Sequence, residues 1–204
     1  MPEVTPFYFL VGVVSWPLMR LLYRLEAHGV ERLPESGFVM AANHTSSLDP
    51  WPLGFPLWPK RQLHFMGKVE LFNPVLGPIL RAGGAFPVRR GEKDVYAIET
   101  AVELCREGKI VAMFPEGTRK TKGLIKKFEH RPRTGSARIA LVAEAPLVPA
   151  AIKGTDRLSR LGGIKVAYGD PVPMDDLHGL AVPEAAHEAT RRLMERIYEL
   201  HETL

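Results

Sequence analysis

The chain has 204 residues, of which 46% are hydrophobic and 25% charged, with a formal charge of +4. Those proportions suit one globular domain long enough to bury a full core, and they exclude an extended disordered chain. The lone cysteine, Cys105, excludes an internal disulfide and a cysteine-based zinc site.

Residues 4–19, VTPFYFLVGVVSWPLM, carry no charge. As a helix they would span about 24 Å, short of a hydrocarbon core of roughly 30 Å. Glu3 stands where a signal peptide would be basic, and no small-residue cleavage site follows. Pro17 predicts a kink, and Arg20 and Arg24 can reach lipid head groups. Residues 1–24 therefore read as a membrane-surface anchor helix preceding an α/β domain at 25–204, the alternative being a helix packed on the domain's own core.

Apolar runs predict strands at 38–43, 63–66, 85–88, 110–114, 147–152 and 164–168. Periodic stretches predict helices at 72–81, 94–107, 135–144 and 183–200. Residues 50–59, PWPLGFPLWP, read as a Pro-rich apolar loop in which Trp51 and Trp58 line an apolar path, touch lipid or pack on the core. Val95, Ile98, Val102 and Cys105 recur at helical spacing, which predicts a buried structural thiol. The alternation of elements predicts an α/β fold: a single layered domain with a mixed, largely parallel sheet flanked by helices.

Chemistry concentrates where strands end. FVMAANHTSSLDP, residues 38–50, runs from an apolar strand into His44 and then Asp49. On a helix a spacing of five would turn the two residues to different sides, by about 140°. A turn through Thr45, Ser46 and Ser47, with Asp49 opening the next element, would instead bring the carboxylate back onto the imidazole and make an oriented base. IVAMFPEGTRK, residues 110–120, runs from a strand into a turn that offers a glycine, a hydroxyl and a guanidinium, an outline phosphate site at the edge where open α/β sheets bind ligands. Lys68 in HFMGKVELF and Arg89 in GAFPVRR also follow apolar runs. From 119 to 138 there are eight Lys or Arg residues against the single acid Glu129. That band wants an anion: nucleic acid, anionic lipid or a phosphorylated substrate.

The ordered segments NHTSSLD, GKVELF, GAFPVR, FPEGTR and LVPAAI resemble the 1-acylglycerol-3-phosphate (lysophosphatidate) acyltransferase family of glycerolipid acyltransferases, over roughly residues 30–155. The resemblance implies that His44 and Asp49 are the catalytic pair and that Arg89, Glu116, Gly117, Thr118 and Arg119, joined by Lys68, hold the acceptor phosphate. It implies acyl transfer from acyl-coenzyme A or an acyl-carrier protein to lysophosphatidate at an anionic membrane surface, on the cytoplasmic face, with no metal and no cofactor beyond the thioester co-substrate. Two departures stand out: Lys120 follows E-G-T-R where the family usually has Ser, and Arg133-Thr134-Gly135-Ser136 opens the next helix where a lysine and a Gly-Ala start are usual.

Other chemistries fit poorly. There is no G-x-S-x-G elbow, no H-E-x-x-H or H-x-D metal pattern, and no P-loop or G-x-G-x-x-G. Only Phe128 interrupts the basic band with an aromatic, so no nucleic-acid partner is expected. Two further readings remain: the same transfer to another acceptor, such as a lyso-ornithine lipid, glycerol 3-phosphate or another lysophospholipid, and a non-catalytic membrane-binding module.

Overall fold

The computed structural model describes residues 4–89, 94–117, 132–156 and 162–204. In chain order its elements are α1 (Pro6–Pro17), β1 (Glu26–His28), β2 (Phe38–Ala42), α2 (Pro50–Gly54), β3 (Leu63–Lys68), α3 (Leu76–Ala82), β4 (Ala85–Val88), α4 (Val95–Arg106), β5 (Ile110–Met113), α5 (Gly135–Ala143), β6 (Leu147–Lys153), β7 (Lys165–Tyr168) and α6 (Val182–Thr203). The sheet order is β1-β7-β6-β2-β5-β3-β4. Every neighbouring pair is parallel except β6 with β7, so the predicted mixed, largely parallel α/β sheet is what the chain forms. The carboxyl ends of β2, β3, β4, β5 and β6 consequently share one edge.

Both faces of the sheet are covered, which is why central β2, FVMAA, is apolar without interruption. Its side chains alternate between the two layers. Val39 and Ala41 join the core under α4, α5 and α6, with Ala101, Ile139, Ala140, Ala189 and Leu193. Phe38, Met40 and Ala42 join the opposite core with Met19, Leu53, Leu57 and Tyr168. Cys105 lies in the first of these layers, and burial pushes its thiol up to about 12, as befits an inert structural cysteine.

Three elements differ from expectation. Residues 50–59 are not a loop: Pro50 occupies the first helical position of α2, where a missing N–H costs nothing, and a 3-10 turn follows at Phe55–Leu57. Residues 72–75 stay outside α3, because the Asn73 carboxamide accepts from the amides of Val75 and Leu76 and sets the helix start there. Glu26–His28 adds a short exposed edge strand that apolar patterning does not reveal.

The N-terminal helix docks on the domain. Thr5 caps it by accepting from the Tyr8 amide, donates its hydroxyl to Ala82 O at 2.7 Å, and donates its own amide to Gln62 Oε1 at 2.9 Å. A Cβ on Gly12 would lie 2.2 Å from the Trp58 indole, so only glycine permits this approach. Pro17 does not end the helical path, which continues as a π-helical turn at Leu18–Leu22 that buries Met19 completely. The opposite side of α1, including Leu10 and Val14, is exposed. Among the described residues no helix is long and apolar enough to cross a membrane.

Candidate active site

The site begins with Asn43, one residue beyond β2. Its carboxamide donates to Ile152 O at 2.9 Å and accepts from Ile152 N at 2.8 Å, so a side chain mimics the next rung of the β2–β6 ladder. The residue after it is thereby fixed at the carboxyl edge of the sheet. That residue is His44.

The chain then turns tightly, and Asp49 arrives at the head of α2. Although an aspartate there commonly caps its helix, Asp49 makes no capping bond and turns back into the loop. Its Oδ2 lies 2.8 Å from His44 Nδ1 and accepts from the amides of Thr45 at 2.8 Å and Ser46 at 2.9 Å. Asp49 is fully buried, and burial raises its carboxyl. The bonds from His44, Ser46 and Thr45, with the Thr155 hydroxyl nearby, outweigh that effect and hold it below the usual carboxylate range. An ionised acceptor at Nδ1 keeps the proton on that nitrogen and leaves the Nε2 lone pair free to take one. The turn through Thr45 to Ser47 thus folds the carboxylate back onto the imidazole, and the geometry is that of an oriented base.

Two contacts from distant strands steady it. The His44 ring stacks on Phe114, just beyond β5, with centroids 4.2 Å apart and planes 20° apart. The Thr45 hydroxyl lies 2.7 Å from that of buried Thr155, just beyond β6. Beside the loop opens an apolar cavity of about 310 Å³, bordered by Leu48 and Trp51 from the site and by Tyr8, Gly12, Phe55 and Trp58 from its surroundings. Both tryptophans of the Pro-rich segment therefore line an apolar space beside the catalytic loop.

The expected phosphate site is described in part. Glu116 is buried, and Gly117 adopts φ +69°, a left-handed conformation natural to glycine, with its amide donating to Phe114 O at 3.0 Å. The Arg133 amide donates to Pro115 O at 2.8 Å, and its side-chain Nε would lie 2.7 Å from a Cβ on Gly117. A guanidinium therefore rests on the glycine turn in the space a side chain would take. Lys68 is the exposed last residue of β3, and Arg89 the exposed residue after β4, its amide donating to the Asp94 carboxylate at 2.7 Å. Thr118 and Arg119, with most of the basic band, lie outside the described residues. Topology thus puts Lys68, Arg89, Glu116 and Gly117 on the edge that presents His44. Sequence reasoning gave no role to Asn43, Phe114 or Thr155, and marked Arg133 only as a departure. Among the described residues His44 and Asp49 have no third His, Cys, Asp or Glu to complete a metal-binding group.

The family model described as Acyltransferase matches residues 24–153, which include His44, Asp49 and the whole P-E-G-T-R turn. A 1-acyl-sn-glycerol-3-phosphate acyltransferase of Bacillus subtilis is 36% identical over 185 residues, spanning 88% of this chain and 89% of that one. Another of that name, from Streptococcus pneumoniae, is 27% identical and spans 84% of this chain and 64% of its own length. The crystal structure of the 1-acyl-sn-glycerophosphate (LPA) acyltransferase PlsC from Thermotoga maritima superposes with a TM-score of 0.65 at 24% identity, covering 95% of this chain and 78% of that one, a likeness of fold. With its oriented histidine inside the matched span and a close relative along nearly its whole length, this chain belongs to the acyltransferase family.

Proposed function

We propose that the protein transfers a fatty acyl group from an acyl-coenzyme A or acyl-carrier-protein thioester to the sn-2 hydroxyl of lysophosphatidate, giving phosphatidate. The observation that carries this reading is the His44–Asp49 pair, held in a loop whose Ser47 and Leu48 border an apolar cavity. His44 Nε2 takes the proton of the acceptor hydroxyl as its oxygen attacks the thioester carbonyl carbon. Asp49 stabilises the imidazolium that results. The tetrahedral intermediate then collapses, the C–S bond breaks as the ester C–O bond stays, and the leaving thiolate takes the proton back from His44. No acyl-enzyme forms.

Positioning supplies much of the rate. The acceptor phosphate is held on the β5, β3 and β4 flank by Lys68, Arg89 and the turn at Glu116 and Gly117; Thr118 and Arg119 belong to the same phosphate-binding set. The exposed apolar side of α1 holds the protein peripherally at an anionic membrane surface, where both lipids reside. The test is thiol release from an acyl thioester by the purified protein, with and without lysophosphatidate. Acceptor-dependent release with formation of phosphatidate is expected. Release that ignores the acceptor, or faster transfer to glycerol 3-phosphate or a lyso-ornithine lipid, would overturn the assignment.

A further inference from the structure

A second cavity, of about 520 Å³, opens on the other flank of the catalytic loop, bordered by Thr45, Lys153, Gly154, Asp156, Lys165 and His201. We infer that it receives the phosphate-bearing arm of the acyl thioester donor, an inference that rests on the acyl-transfer reading above.

The first argument is charge. Lys153 and Lys165 stand directly opposite each other in the antiparallel β6–β7 pair and border the same cavity. Like charges directly opposite on neighbouring strands destabilise a sheet, and an anion seated between them removes the cost. Lys165 also approaches Glu26 at 3.6 Å, an exposed pair that screening weakens. Of the side chains bordering the cavity, Lys153 and Lys165 carry two ammonium groups against the single carboxylate of Asp156, and the main-chain carboxylate of Leu204 lies at the same border.

The second argument is position. Thr45 borders this cavity, whereas Ser47, Leu48, Pro50 and Trp51 border the apolar one, so a single short loop divides an apolar chamber from a cationic one. The divide falls at Ser46, two residues beyond His44. An acyl-coenzyme A or acyl-carrier-protein thioester has the same division: an alkyl chain on one side of the reactive carbonyl and a phosphopantetheine arm on the other. Placed with each part in its matching chamber, the carbonyl falls at the base. The Asn43–Ile152 and Thr45–Thr155 contacts make the loop and the β6 wall of the cationic chamber one rigid unit. The acceptor's phosphate is assigned to the β5–β3–β4 flank, across β2 from this chamber. Two anion sites on opposite flanks of one base suit direct transfer between two bound substrates.

The test uses the full chain and the variant Lys153→Gln/Lys165→Gln. Steady-state transfer to lysophosphatidate is measured with acyl-coenzyme A, with acyl-carrier-protein thioester, and with the phosphate-free acyl-N-acetylcysteamine. The variant should raise KM for the phosphate-bearing donors at least about tenfold, as loss of charge-assisted contacts implies. KM for lysophosphatidate and the rate with acyl-N-acetylcysteamine should not change. Free coenzyme A should raise the thermal midpoint of the wild type and not of the variant, whose own midpoint should equal or exceed the wild-type value once the lysine repulsion is gone. A rise in KM for lysophosphatidate instead would put the acceptor phosphate in this chamber and overturn the proposal. Unchanged donor KM in an active enzyme would overturn it as well. A wild type that transfers nothing from any donor would overturn the acyl-transfer reading itself, a separate failure.

Discussion

A single carboxylate oxygen, Asp49 Oδ2, is the point on which the catalytic loop turns, because it accepts from one ring nitrogen and two backbone amides at 2.8 to 2.9 Å. Replacing His44 by Ala removes the base but none of those amide bonds, so turnover should fall about 10² to 10⁴-fold while the fold survives. Asp49→Asn should be severe too, since a neutral carboxamide no longer fixes the tautomer. Acceptor-dependent thiol release and circular dichroism check both; more than about a tenth of wild-type turnover in His44→Ala would exclude this mechanism. Asp49 also predicts an acid response. Its folded carboxyl lies below the unfolded value of about 3.9, so its contribution to stability is complete above that pH and disappears as pH falls through the lower folded value. Thermal midpoints measured from pH 6 downward should show the wild type losing this advantage over Asp49→Asn below about pH 4. The histidine and aspartate were legible because both lie in one loop, where spacing and turn chemistry suffice. Asn43 and Thr155 were not, because each acts on a residue about 110 positions away along the chain, and only the sheet order brings those strands together.

At the scale of elements, α2 is held by its far end as well as by Asp49. The fully buried Tyr168 of β7 donates its hydroxyl to Leu53 O at 2.6 Å, and burial, with Tyr8 nearby, raises its phenol so that it stays a donor. Tyr168→Phe keeps the packing and leaves one buried carbonyl unpaired, which should cost about 1 to 3 kcal/mol. Because the lost bond holds α2, turnover should fall more than a loss of folded protein explains. Urea unfolding beside turnover at low temperature separates the two effects, and unchanged stability would show that another donor reaches Leu53 O. The long buried strands were readable from continuous apolar runs, as a covered parallel sheet demands. β1 was not, since Glu26, Ala27 and His28 are all exposed and take their shape from pairing with β7 alone. α2 was hidden for the opposite reason: its prolines sit where a helix start accepts them, yet in sequence they read as loop.

At the scale of the whole molecule, α1 does two things that sequence alone set against each other. Met19, Gly12 and Tyr8 tie it to the domain core and to the wall of the apolar cavity, while its far side leaves Leu10 58% and Val14 69% exposed. The Thr5 bond to Ala82 O fixes its start beside the end of α3, whose surroundings expose Val75, Leu76 and Ile79. A membrane that accepts the outer side of α1 would therefore meet a helix that also lines the apolar cavity, which would let a lipid chain pass to the base without crossing water. Each large apolar side chain buried in lipid contributes roughly 1.5 to 3 kcal/mol, so a double change to acid on that side should abolish most binding. Leu10→Asp/Val14→Asp should lose flotation with anionic vesicles, keep its thermal midpoint, and keep turnover of short-chain, monomeric substrates. Deleting residues 1–22 is expected to do more than detach the protein, since it strips Met19 from the core and opens the cavity, so it should lower the thermal midpoint and turnover of every substrate. If the double variant still floats with vesicles, the membrane contact lies instead on the apolar surface around Val75 and Ile79, and α1 serves only as a wall of the cavity.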